Sequence, residues 1–384
     1  MGNGIVHFAE GISLIASDDT WIDSQAVHQL HSTFELPGMR RLVAMPGLHP
    51  GRAYPAGAAS FAVGRLYPAL VGGDIGAGMA LWQTGVDAAA ASPERLDRSL
   101  GDLDGPPDAA WQDEAARLAA AHGSHAAVLD ALGGPGAGNP FAELQQVDGI
   151  EDAAAVAALG IDPARLLLLV HGGARGLGET VLHEHMARCG HDGLAEGSTE
   201  AAAYLASHAQ ALGLARANRA LLARRVLARL GGGAGQALLD RHHNLVAAAE
   251  VDGVRGWLHR RGAAPADQGP VVIPGSRGDY SYLVRPLPAA HSLFSLAHGA
   301  GRKWSRGESR ERLARRYTPD QLARTRFGSL VICGDHALRY EEAPDAYKPI
   351  DSVVHALRDE GLLTILARLR PVLTYRMRGA GQRG

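Results

Sequence analysis

With 384 residues the chain can bury a large core without staples; its two cysteines, Cys189 and Cys333, stand in no Cys-x-x-Cys spacing, which excludes a disulfide framework and a structural zinc knuckle. No apolar run reaches about 18 residues and the N-terminus has neither a basic stretch nor a small-residue cleavage pattern, so the expectation is a cytoplasmic protein with no membrane span. The formal charge of −2 conceals an asymmetry: residues 255–384 carry 22 Lys and Arg against 12 Asp and Glu, or +10, leaving −12 for the rest, and a basic segment either suits a phosphate-rich partner or is a solvated arginine face.

Between 41 and 85, short apolar runs (RLVAMP, SFAVG, PALVGG, MALWQ) alternate with Gly, Pro and His loops, a pattern of hairpins or short strands. Ala, Leu and Val at helical spacing behind a proline predict a helix over 107–132. LLLLV (166–170), followed by His171 and two glycines, predicts a buried strand that delivers a polar residue at its end. The strongest helical pattern covers 199–230 and stops at Gly231-Gly232-Gly233. Strand character resumes in HHNLVAAAEV, VRGWLHRRG, GPVVIPGS and SYLVRP, and 353–378 mixes a helix with a final extended piece. The Ala- and Gly-rich stretches 86–92 and 263–269 read as loops or linkers. Strands, then helices, then strands, with neither βαβ alternation nor a repeat of 20–50 residues, predict an α+β fold. The expectation is one domain over 1–384, with a helical insertion at about 199–230 and the basic segment at 255–384.

Rarity points to function better than abundance does. Only Lys303 and Lys348 among the 38 basic residues are lysine, and only Asn3, Asn139, Asn218 and Asn244 are asparagine. Gly-rich loops set rare polar residues where a backbone can approach a ligand. They are His49-Pro-Gly-Arg52, Gly72-Gly-Asp74-Ile-Gly76, Gly136-Ala-Gly138-Asn139, His171-Gly-Gly-Ala-Arg175, Gly275-Ser276-Arg277-Gly278 and His298-Gly299-Ala-Gly301-Arg302-Lys303. The carboxylate of Asp74 is free to reach a metal or a ligand hydroxyl, or to satisfy its own turn. Histidine supplies a metal ligand and arginine a phosphate fork, so a metal-plus-phosphate site assembled from several loops is the reading the residue chemistry favours.

Eight blocks in one order then resemble the RtcB RNA ligase family from end to end: LHPGRAYPAG, VGGDIGAGM, GAGNPFAEL, VHGGARGLG, RHHNLVA, VIPGSRGDYSYLV, HGAGRKWSR and EEAPDAYKPID. The opening residues and the length look like the bacterial branch encoded beside release factor H, which implies a functional link to that factor and to ribosome repair. The resemblance implies a GTP-dependent ligase that joins an RNA 3′-phosphate or 2′,3′-cyclic phosphate to a 5′-hydroxyl, with His298 as the residue that carries GMP and Mn²⁺ as the preferred metal. It places Asp74, His171 and His243 on the metal. Asn139, Glu143, Ser276, His298, Gly299, Gly301, Arg302 and Lys348 fall around the nucleotide, with Arg302 and Arg306 as phosphate partners. Two departures stand out, because the family's bridging cysteine is Ala77 here and a metal histidine is Pro140, neither of which has a side-chain donor. His-Ser-Gly-Ser-Arg likewise reads His171-Gly-Gly-Ala-Arg175, and His183, His185, His191 or His242 are candidate substitutes for the lost ligands. The alternative is therefore a pseudo-ligase that binds GTP or RNA ends as a sensor or partner. A metal-dependent phosphatase is a third option.

Overall fold

Runs of Val, Ile and Leu bounded by Gly and Pro form strands in the computed structural model, which describes residues 4–105, 108–125, 132–134, 140–174, 176–231, 233 and 235–378. One sheet has six strands in the spatial order Ile5–Ala9, Ile12–Ile15, Met39–His49, Ala56–Ala62, Val254–Arg261 and Asn244–Val251. The larger sheet runs Gln236–His242, Gly78–Asp87, Arg165–Gly172, Phe141–Ile150, Leu363–Met377, Ser281–Pro286 and Val271–Pro274, with Leu330–Cys333 parallel to Leu363–Met377. His243 is the single residue between Gln236–His242 and Asn244–Val251, so the chain changes sheets there. Mixed sheets with separate helices make the fold α+β.

The apolar run at 166–170 is continuous because both faces of its strand are covered. Leu166, Leu168 and Val170 belong to one core cluster and Leu167 and Leu169 to another. The first cluster is closed by Leu222, Val226 and Leu227 of the 32-residue helix Thr199–Leu230, the helix its apolar periodicity predicts. Ser198 opens this helix by accepting from the Ala201 amide at 3.1 Å, and Gly231, in the left-handed region at φ +71°, closes it. Leu214 and Leu221 pack on Ala115 and Leu118 of the helix Ala109–Ala121. The long helix thus covers one side of the larger sheet while the helix Ala153–Ala158 sets Val156 against the other, and the polar ends of the strands are left for the site.

Three expectations differ from the structure. The helix expected over 107–132 is Ala109–Ala121, because the His122 and Gly123 amides turn back onto the carbonyls of Leu118, Ala119 and Ala120 and Gly123 takes φ +71°; residues 126–131 lie outside the described residues. PALVGG, expected as β-like, contains a one-turn helix, Pro68–Val71, opened by its proline. The 263–269 stretch is no linker: Ala263–Pro265 pairs with Ser295–Ala297, and Ala263, Ala264 and Ala266 are buried in the core. Among the described residues no helix is long and apolar enough to cross a membrane.

Candidate active site

A cavity of about 1200 Å³ opens where the two sheets meet. Strand register builds its floor. Met79 pairs with His171, His171 with Phe141, and Glu143 with Thr374, and all five line the cavity. The two-residue repeat of a strand puts Phe141 and Glu143 on the same face. The loop carrying Asp74 is stapled to the sheet-changing segment by backbone: the Gly76 amide donates to the Asn244 carbonyl at 2.9 Å and the His243 amide to the Ala77 carbonyl at 2.7 Å. Below it lies Arg219, fully buried, whose Nη1 donates to the carbonyls of Gly76 and Gly172 at 2.7 Å each and which pairs with Asp240. Arg219 therefore ties the Asp74 loop to the strand end that holds His171. Sequence reasoning missed it, since a helical arginine carries no local sign of burial.

His298 follows the strand Ser295–Ala297 and reaches the cavity through close backbone packing. A Cβ on Gly301, at φ +72°, would meet the Gly47 carbonyl oxygen at 2.1 Å, and one on Gly262, at φ +63°, would meet the His298 ring at about 2.9 Å. Only glycine permits these approaches. The imidazoles of His171 and His243 stack with centroids 5.3 Å apart, and His243 and His298 stand at 4.7 Å. Burial brings the His298 pKa down to about 4, so its ring is neutral at pH 7. Burial, then the neighbouring His298 and His171, also holds His243 well below the ordinary range.

Asp74, Glu143, His171, His243, Ser276, His298, Gly299, Gly301 and Arg302 all line this one cavity, drawn together from segments more than 200 residues apart. Asn139 lies outside the described residues, as does Arg175. Lys348, expected on the nucleotide, does not line the cavity; its Nζ donates to the carbonyls of Pro46 and Leu48, both at 2.7 Å. None of His183, His185, His191 and His242 lines it either: His242 bonds the Gly76 carbonyl through Nδ1 and His191 the Tyr54 hydroxyl. Arg302, expected on phosphate, is spent within the protein, on the Trp304 and Glu341 carbonyls, the Ser309 and Tyr347 hydroxyls and Glu342. Those contacts use Nε and both terminal nitrogens. Arg306 also pairs with Glu342, at 2.8 Å, yet stays half-exposed. Glu143 accepts from Thr374 Oγ1 at 2.6 Å and from Gln145 Nε2 at 2.7 Å, and burial raises its pKa.

The sequence profile of the family described as "tRNA-splicing ligase RtcB" matches residues 108–377. An RNA-splicing ligase RtcB2 of Escherichia coli is 51% identical over 384 residues, the whole of both chains. The chain belongs to the RtcB ligase family. An RNA-splicing ligase RtcB of Mycobacterium tuberculosis is 34% identical over 283 residues, 64% of each chain, and a tRNA-splicing ligase RtcB of Pyrococcus furiosus is 31% identical over 284 residues, 63% of this chain and 29% of that one.

As an RtcB-family chain it raises the question of a metal. Among the described residues no group of three or more His, Cys, Asp or Glu side chains is gathered closely enough to hold an ion. The donor chemistry fits one divalent ion all the same: a carboxylate and two imidazoles face one cavity, and His243 is held in the neutral form that ligates. Ala77 and Pro140, both at the cavity wall, add no side-chain donor for a second.

Proposed function

We propose that this RtcB-family chain joins an RNA 3′-phosphate, or a 2′,3′-cyclic phosphate after its opening, to a 5′-hydroxyl at the expense of GTP. The observation that carries the reading is His298, a neutral imidazole set in the cavity among glycines that leave its ring open to a nucleotide. A ring nitrogen of His298 attacks the α-phosphorus of GTP, the bond to the bridging oxygen breaks, and pyrophosphate leaves. The guanylyl group passes to an oxygen of the RNA 3′-phosphate, which restores the imidazole and leaves a pyrophosphate linkage. The 5′-hydroxyl of the second strand, giving up its proton, attacks the RNA-side phosphorus, and GMP departs. Glu143 and Ser276 border the guanylate, together with Asn139 by resemblance, and Gly299 and Gly301 let the backbone close on it. Asp74, His171 and His243 would hold a Mn²⁺ ion, which would supply a Lewis acid for the phosphate oxygens. On the resemblance of its opening residues and its length we place the chain in the bacterial branch encoded beside release factor H.

Incubation with GTP labelled at the α-phosphate and Mn²⁺, followed by a denaturing gel, tests the reading. Wild type should carry label and His298→Ala none; label that survives in His298→Ala overturns the assignment. The second reading, a chain that binds GTP or RNA ends without an adduct, draws on the donors missing at Ala77 and Pro140, and it predicts nucleotide binding with no label in wild type.

A further inference from the structure

Lys303 is one of only two lysines in the chain, it lines the cavity, and the reaction above leaves it unused. It follows the nucleophile His298 by one short loop whose backbone is held. The Lys303 amide donates to the Ala346 carbonyl at 2.8 Å, Arg302 pairs with Tyr347 in an antiparallel bridge, and the Lys348 amide donates to the Gly301 carbonyl at 3.0 Å. The residue is half-buried, and its ammonium meets no hydrogen-bond or ion-pair partner among the described residues. The acids of that wall are already taken. Glu342 is shared by Arg302, Arg306 and Arg376, and Glu341 pairs with Arg306 and Arg310. Glu308 closes the capping box of the helix Arg306–Ala314 by accepting from the Ser305 amide at 3.0 Å. Arg261, another cation of the cavity, has Asp74 and Glu179 within electrostatic reach instead.

An ammonium is a compact charge with three donors on a flexible stem, which suits a phosphate that enters and leaves. The next residue, Trp304, lines the cavity as well and is half-buried against the cluster of Leu313, Leu322, Ala343 and Ala346. The exposed Arg312 side chain lies over its ring at 5.1 Å, a layer that a base can displace, and its indole N–H finds no acceptor among the described residues. A cation and an aromatic ring on neighbouring residues match one nucleotide, whose phosphate takes the charge while its base stacks. Of the two RNA ends only one carries a terminal phosphate, because the other ends in a 5′-hydroxyl.

We propose that Lys303 and Trp304 seat the RNA strand that ends in a 3′-phosphate, Lys303 neutralising the terminal phosphate and Trp304 stacking the terminal base. The proposal rests on the reading that the chain joins RNA ends. The test is fluorescence anisotropy of short single-stranded RNAs, labelled at the 5′ side, with the full chain and no GTP. One RNA ends in a 3′-phosphate, one in a 3′-hydroxyl, and one in a 3′-phosphate on an abasic terminal nucleotide. Wild type should bind the 3′-phosphate RNA about tenfold more tightly than the 3′-hydroxyl RNA, the scale of one charge-assisted contact. Lys303→Met should lose that ratio and Lys303→Arg keep most of it. Trp304→Leu should weaken both RNAs by about tenfold with the ratio intact, and the abasic RNA should bind wild type and Trp304→Leu alike. A ratio near one in wild type, or an abasic RNA that wild type binds as tightly as the intact one, overturns the proposal whether or not the variants fold. A ratio that survives Lys303→Met overturns it as well. Calorimetry with GTP separates the other source of phosphate: a loss of GTP affinity in Lys303→Met with the RNA ratio retained assigns the ammonium to the triphosphate. Failure of the ligase reading looks different, for then wild type binds none of the three RNAs and the proposal falls with it.

Discussion

Glu342 offers a direct test of how the site is held. Its carboxylate is fully buried and pairs with Arg306 at 2.8 Å, Arg376 at 3.0 Å and Arg302 at 3.2 Å, and it accepts from the Tyr347 hydroxyl. Burial alone would raise its pKa, but Arg376, Arg306 and Arg302 outweigh that and bring it from 4.5 to about 2. At about 1.4 kcal/mol for each tenfold change in the proton equilibrium, the displacement corresponds to about 3 kcal/mol of stability. Loss of one partner from a buried ion pair gives a similar figure, about 3–5 kcal/mol. The sign follows from the lowered folded-state pKa: the contribution is complete above the unfolded value near 4.5 and is lost as pH falls toward 2. Glu342→Gln should therefore unfold about 3 kcal/mol more easily in urea at pH 7, as followed by tryptophan fluorescence. The deficit should stay constant down to about pH 5 and shrink below 4.5. A deficit under about 1 kcal/mol at pH 7, or one that narrows between pH 7 and pH 5, would refute the reasoning, because the carboxylate would then be either weakly engaged or titrating in the wrong range.

Two further outcomes are expected. Ala77→Cys with Pro140→His restores a thiolate and an imidazole to the cavity wall, and should tighten Mn²⁺ binding by about tenfold or more in calorimetry and raise the rate of guanylylation; no gain means the pocket has been rebuilt around other donors. Lys348, whose pKa burial lowers to about 7, donates from Nζ to the carbonyls of Pro46 and Leu48. The folded state sheds its proton before the unfolded state does, so wild type should gain stability over Lys348→Met as pH rises from about 7 to 10, and urea midpoints that stay parallel over that range would count against it.

Local pattern determined the elements. The apolar run at 166–170, the helix at 199–230 with its serine start and glycine stop, and the glycine loops at strand ends all follow from periodicity and backbone freedom, which neighbouring residues set among themselves. The ordered blocks likewise sufficed for the family. Length along the chain did not disclose partners across it. The +10 segment suggested a phosphate-rich partner or a solvated arginine face, but Arg285 pairs with Asp152, Arg368 with Asp148, and Arg324 and Arg378 with Glu94 and Asp97, so opposite charges distant in sequence meet across the fold. Arg302 matched a phosphate-binding block, and only the fold brought Glu342 and Glu341 round to occupy its donors. Arg219 and Arg277 were two among 36 arginines until packing removed both from water, one with its donors met and one with two nitrogens that find no acceptor among the described residues. A side chain's chemical type is fixed by the sequence, but the free energy of a charge depends on burial and on the atoms opposite it, and those are set by contacts between distant segments that exist only once the chain has folded.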